Sequence, residues 1–382
     1  MIVLRISTLF VIVAITFGNC AIAPRLKIKQ RLLGKTGPIT IKFDTQEIVL
    51  TSKNLNTIID CNKHLNTYNH TYFNLPFLRD PKKIRLFLRE DKTNDEQGIP
   101  FYLEKNSAKI PGTFFNRKSN NLVIISGGFT NCHEYMAPLV KIFPDYDLVF
   151  FDLPGHGLDR TEPQTTKARL AESALNLDIS CITLGEKEVE TIVSVAEYFK
   201  KLNNYTKTIG VARCYSVPFF AQAALDWEKT YKKPLFNKLI LDSSFPSFEQ
   251  FVPRLPLLFS SKSNAPLFRH ICQSRFVKSI FSIIAEYFLE RSLNTCSPIG
   301  SLLRQLKSTD LLFIHSKKDI VISDEDFALI WNELTDIEHK CVLFTYNRHA
   351  MNHIHQKELY KFIGESFINH SFNDFVRELT TL

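Results

Sequence analysis

The sequence predicts an α/β chain built on a mostly parallel, doubly wound sheet with helices over both faces. Three observations predict it. Short, uninterrupted apolar runs such as Leu122-Val123-Ile124-Ile125 recur along the chain, and runs without polar alternation mark strands buried on both faces. Helix-period segments alternate with these runs. The runs end in residues such as Gly127, Cys214 and Asp319, at the strand ends where such sheets place their ligands.

The elements follow in order. Leu122 to Ile125 is the first regular strand and runs into Ser126-Gly127-Gly128. Residues 133 to 143 read as a helix, and Asp147 to Asp152 as the second strand. A helix over 183 to 202 carries Ile192, Val195, Ala196 and Phe199 on one face, the 3.6-residue spacing of a half-buried helix. Thr208 to Ala212 is the third strand, with a helix through Ala224. Lys238 to Asp242, Leu311 to His315 and Cys341 to Phe344 complete the series, and a C-terminal helix follows. Ahead of the series, Ile99 to Leu103 and Thr113 to Phe115 are strand-like, and Asp91 to Gly98 reads as a loop. Residues 246 to 308 interrupt the alternation between the fourth and fifth strands. They are rich in Leu, Phe and Ile and too long for a structureless loop, so they predict a helical cap. The expected organisation is a leader over 1 to 23, an N-terminal extension over 24 to 95, a main domain over 96 to 370 and a tail over 371 to 382.

Composition narrows the function. The chain has 382 residues and is 45% hydrophobic, enough for a sizeable core. Its 47 basic and 39 acidic residues give +8. The excess is scattered in pairs such as Lys82-Lys83 and Lys232-Lys233, as on a solvated surface. No nucleic-acid partner is expected, and contact with anionic lipid headgroups stays open. Met1 to Ala23 combine Arg5, the apolar run Leu9 to Ile15 and small residues at Cys20 to Ala23. This is the pattern of a secretory signal peptide, and the apolar run is too short to span a bilayer. The chain is therefore expected to be exported, with a retained N-terminal anchor as the alternative. Eight cysteines, less Cys20 of the leader, leave seven, so at least one thiol is unpaired in an oxidising compartment. The cysteines form no CxxC pair, and no metal cluster or cofactor is expected. Asn69, Asn204 and Asn369 stand in N-x-S/T sequons.

Three strand-end segments carry a nucleophile, an acid and a base in chain order. In Ala212-Arg213-Cys214-Tyr215-Ser216 an apolar strand meets a helix. A nucleophile on such a sharp turn needs small residues two before and two after it, and Ala212 and Ser216 qualify. The helix N-terminus behind Cys214 favours a thiolate. Ser216 is the alternative nucleophile. Asp319 follows the fifth strand by a short loop, as an orienting carboxylate should, with Asp242, Asp324 and Asp326 as weaker candidates. His349 comes soonest after the sixth strand and is the candidate base, ahead of His353. A zinc reading of the histidines would require a glutamate after the first, where Ala350 stands. The oxyanion hole is expected from the backbone N–H groups of Tyr215 and Phe129.

Four segments make the chain resemble the α/β-hydrolase superfamily: Ser126-Gly127-Gly128-Phe129, Asp152-Leu153-Pro154-Gly155-His156-Gly157, the Cys214 elbow, and the Asp319–His349 pair. The likeness covers roughly residues 99 to 370 and implies a helix-covered, mostly parallel sheet carrying acyl-transfer chemistry. His156 reads as structural. Most relatives have G-x-S-x-G at the elbow, whereas dienelactone hydrolases resemble this chain in using cysteine. The resemblance implies cleavage of an ester or thioester of a small or lipid-like acyl substrate. A fold-only binding protein and an acyltransferase are the alternatives.

Overall fold

The computed structural model describes residues 39–43, 46–50, 98–105, 108–129, 136, 139–140, 142–156, 181–255, 257, 274–289, 293, 297–345, 349–350 and 357–381. The expected leader and the loop at 91 to 97 lie outside these residues, as do most of the expected helix at 133 to 143 and His353.

Among the described residues ten strands form one sheet, in the order β2-β1-β10-β9-β8-β7-β5-β6-β4-β3. Its centre is the six expected strands: β5 (Asn121–Ser126), β6 (Asp147–Phe151), β7 (Lys207–Arg213), β8 (Lys238–Asp242), β9 (Asp310–Ser316) and β10 (Lys340–Thr345). All neighbours within this centre pair in parallel. One edge carries the antiparallel hairpin β3 (Ile99–Lys105) and β4 (Ala108–Phe115). The other carries β1 (Ile39–Phe43) and β2 (Gln46–Leu50), with β1 antiparallel to β10. The N-terminal extension thus contributes two strands to the main sheet.

The alternation of side chains across a strand explains the apolar runs. In β5, Leu122 and Ile124 belong to the core on one face, and Val123 and Ile125 to the core on the other. The first face is covered by α1 (Glu186–Leu202) and α2 (Val217–Tyr231). In α1, Ile192, Val195, Ala196 and Phe199 are buried, and the Phe199 ring meets Phe101 and Phe114 of the hairpin. Glu188 starts this helix by accepting hydrogen bonds from the N–H groups of Thr183 (2.8 Å) and Gly185 (2.9 Å).

The cap between β8 and β9 includes α3 (Phe248–Phe251), α4 (Arg275–Leu289) and α5 (Ile299–Leu303). Next come α6 (Asp324–Glu333), α7 (Lys357–Asn369) and α8 (Phe372–Thr381). The stretch expected as a tail is therefore helical, because Phe372 and Phe375 bury their rings in the second core. The C-terminal end of α7 is fastened by cations, as its carbonyl groups favour. Lys207 Nζ donates to Ile368 O (3.0 Å), and Lys238 Nζ donates to His370 O (2.8 Å).

The strand order also selects the place for a site. The chain steps from β5 to β6 on one side, then returns to β7 on the other. This reversal leaves a crevice beyond the carboxyl ends of β5 and β7. Ser126-Gly127-Gly128-Phe129 and Cys214 lie at those two ends.

Candidate active site

Cys214 follows β7 directly and begins a single tight turn, Cys214–Ser216, before α2. Its φ of 52° lies in the left-handed region, which costs a residue with a side chain about 1–2 kcal/mol. The turn is tied by Ser216, whose Oγ accepts the Arg213 N–H at 2.8 Å. The same hydroxyl's hydrogen is within reach of the Ser126 and Arg213 carbonyl oxygens, at 3.1 and 3.2 Å. Ser216, the alternative nucleophile, is thus a fully buried brace of the turn.

The His349 ring meets Cys214 and Asp319 at its two nitrogens. Nε2 lies 3.1 Å from Cys214 Sγ, and Nδ1–H donates to Asp319 Oδ2 at 2.6 Å. Asp319 is held in turn through Oδ1, which accepts the N–H groups of Val321 (2.9 Å) and Ile322 (3.0 Å). The three expected residues therefore converge from the ends of β7, β9 and β10. Burial works against the imidazolium of His349. The Asp319 carboxylate, the Cys214 sulfur and the hydrogen bonds to both outweigh it and raise His349 well above the ordinary histidine value.

The other acidic candidates are engaged elsewhere. Asp324 accepts from His315 Nε2 (2.9 Å) and pairs with Lys317 (3.2 Å). Asp326 pairs with Arg254 and accepts from Ser323, which caps α6. Asp242 Oδ1 accepts from the hydroxyl of the adjacent Ser243 at 3.0 Å.

The two expected oxyanion residues pack against each other, with the Phe129 and Tyr215 rings 5.3 Å apart. His156 lies over Tyr215 at 4.8 Å and shares a 2.9 Å hydrogen bond between Nδ1 and Pro154 O. Phe219 and Phe248 enclose the same ring, so the cap reaches the residue next to Cys214. The Tyr215 hydroxyl lies 3.4 Å from Glu188 Oε1. Sequence reading passed over Glu188; its signal was an acidic residue on the buried face of α1, three places after Gly185.

No protein-family model matches the chain, and no curated protein matches its sequence. Solved structures do match. An esterase of Pyrococcus furiosus aligns over 75% of this chain and 92% of its own, with a TM-score of 0.51 and 13% identity. The chain has the α/β-hydrolase fold. Two further similar structures score lower. An alpha/beta hydrolase enzyme, MGS-M2, from a deep-sea metagenome library aligns over 71% of this chain and 98% of its own, at a TM-score of 0.46 and 11% identity. An E-2-(acetamidomethylene)succinate hydrolase aligns over 72% and 100%, at 0.47 and 15%. At such identities the likeness is one of fold.

Proposed function

We propose that this chain hydrolyses ester or thioester bonds through a covalent acyl-enzyme on Cys214, with His349 as base and Asp319 as its orienting acid. One observation carries the reading: a cysteine on a strained turn, an imidazole and a buried carboxylate in continuous hydrogen-bond contact. A fold kept only for binding would have no use for that sequence of contacts.

The thiolate attacks the acyl carbonyl carbon and forms an S–C bond. The backbone N–H groups of Tyr215 and Phe129 stabilise the oxyanion, a term worth ~3 kcal/mol for each donor. As the carbon–oxygen or carbon–sulfur bond breaks, the imidazolium of His349 gives its proton to the leaving alcohol or thiol. Water then attacks the thioester, His349 takes its proton, and Cys214 leaves as thiolate. A lipophilic acyl group fits the cap, whose α4 exposes Phe276, Ile283 and Tyr287; the same stripe supports peripheral contact with lipid. The leader pattern supports export.

The test is a panel of fluorophosphonate and iodoacetamide probes with mass-spectrometric mapping, alongside turnover of p-nitrophenyl esters of rising chain length. Iodoacetamide should mark Cys214, and Cys214→Ala should abolish the acyl-enzyme and lower kcat/KM by roughly 10⁴- to 10⁶-fold. Undiminished turnover in Cys214→Ala sinks the assignment. Products formed with an added alcohol or amine would identify an acyltransferase.

A further inference from the structure

A buried polar chain runs beneath the Cys214–His349 pair and joins its two ends. It begins at Arg213, the residue before Cys214, whose Cα pairs with that of Asp242 on β8. Both residues are buried. The Arg213 guanidinium, the Asp242 carboxylate and the Tyr360 phenol of α7 lie within electrostatic reach of one another. Asp242 Oδ1 accepts from the Ser243 hydroxyl at 3.0 Å. Ser243 Oγ in turn accepts the N–H of Ala350, the residue after His349, at 3.0 Å. The Ser243 N–H donates to Ile314 O of β9 at 2.9 Å, which fixes Ser243 itself.

Backbone strain follows the same path. Cys214, Ser243 and Ala350 have φ values of 52°, 59° and 51°. Such conformations persist where the surroundings over-determine them. A buried guanidinium and carboxylate are costly to desolvate and contribute little net stability. Their position under a reactive pair calls for another use.

We propose that Arg213, Asp242 and Ser243 are positioning residues that hold the His349–Ala350 turn in register with Cys214. The inference rests on the thiol–imidazole reading above. The logic is one of hydrogen-bond inventory. A carboxylate only accepts, so the Ser243 hydroxyl must point its hydrogen at Asp242, which leaves its lone pairs to face Ala350 N–H. Arg213 places a cation within electrostatic reach of the Asp242 carboxylate, away from water. Because Arg213 also adjoins Cys214, one network fixes both sides of the 3.1 Å contact between Sγ and Nε2.

The test uses the full chain with Ser243→Gly, since glycine accepts a φ of 59° and removes the hydroxyl without new strain. The rate of Cys214 alkylation by iodoacetamide at pH 6 is followed by mass spectrometry beside the unfolding temperature. In the unaltered protein Cys214 should react at least about a hundredfold faster than Cys341. In Ser243→Gly its rate should fall about tenfold or more. Ester turnover should lose kcat with KM within about twofold. Asp242→Asn should move both readouts the same way. Hydrogen exchange at Ala350 should be slow in the unaltered protein and fast in Ser243→Gly. A Cys214 alkylation rate kept by both variants overturns this inference alone, as does fast Ala350 exchange in the unaltered protein. That exchange decides the matter if the variants fail to fold. A Cys214 no faster than Cys341 in the unaltered protein overturns the thiol–imidazole reading as well.

Discussion

Cys214 and Cys341 are both buried, and His349 and His315 both stand at or just beyond strand ends, yet their surroundings are opposite. Cys341 is enclosed within β10, its Sγ within 3.8 Å of Leu311 O, and burial pushes its thiol far above the ordinary value. His315 lies flat on Phe327, with ring centres 4.7 Å apart, and its Nε2 meets Asp324. There burial outweighs the attraction of Asp324 and Asp319 and lowers the histidine below its ordinary value. His349 is enclosed as well, but a carboxylate on one nitrogen and a sulfur on the other reverse the sign of its shift. Burial alone makes a thiol or an imidazole inert. A buried partner for each atom that must carry charge offsets the cost of burying that charge.

The largest contrast should come from exchanging the histidines. His349→Ala should lower kcat/KM by roughly 10⁴-fold or more, since it removes the proposed base from a set that would act as a unit. His315→Phe should keep kcat/KM within about twofold. Equal losses would place both histidines in the chemistry. Asp319→Asn comes next, with a fall of about 10³- to 10⁴-fold expected from a mis-held imidazole tautomer. Its Val321 and Ile322 hydrogen bonds should survive through the amide oxygen, so the unfolding temperature should move little by comparison. The cysteines separate at a smaller scale. Iodoacetamide at pH 6 should modify Cys214 at least about a hundredfold faster than Cys341, as follows from thiolate access. Modification of Cys341 at the same rate would show that packing, not pairing, sets thiol reactivity in this sheet.

What the sequence made legible follows the same division between regular pattern and long-range contact. Six apolar runs at buried-strand length became the six central parallel strands, because covering a strand on both faces leaves no room for polar alternation. Ile39 to Phe43 alternated visibly, but nothing local could indicate that it would extend the sheet beside β10. The end of the chain is less legible for a related reason. Phe372 and Phe375 become core only when α7 brings them under the sheet. At the site, chain order and spacing from strand ends were enough to nominate Cys214, Asp319 and His349. Ser216 remained a rival there, since whether its hydroxyl faces substrate or the Arg213 N–H depends on the turn's backbone. Ser243 was invisible for the same cause. Its use depends on Ala350, over a hundred residues away in the chain.

The smallest effect expected is on stability against pH, and there the two histidines should pull in opposite directions. His315 has its folded value lowered. It therefore contributes stability that is fully present above the unfolded value of about 6.5 and is lost as pH falls through that value toward the folded one. His349 has its folded value raised. Its contribution is fully present below about 6.5 and is lost as pH rises through the folded value. Each acts with a slope of at most about 1.4 kcal/mol per pH unit for one proton. Urea unfolding followed from pH 5 to pH 9 should show His315→Phe flattening the acid side of the curve and His349→Ala flattening the alkaline side. A His315→Phe variant that keeps the acid-side decline would assign that decline to other groups and leave His315 as a packing residue on Phe327.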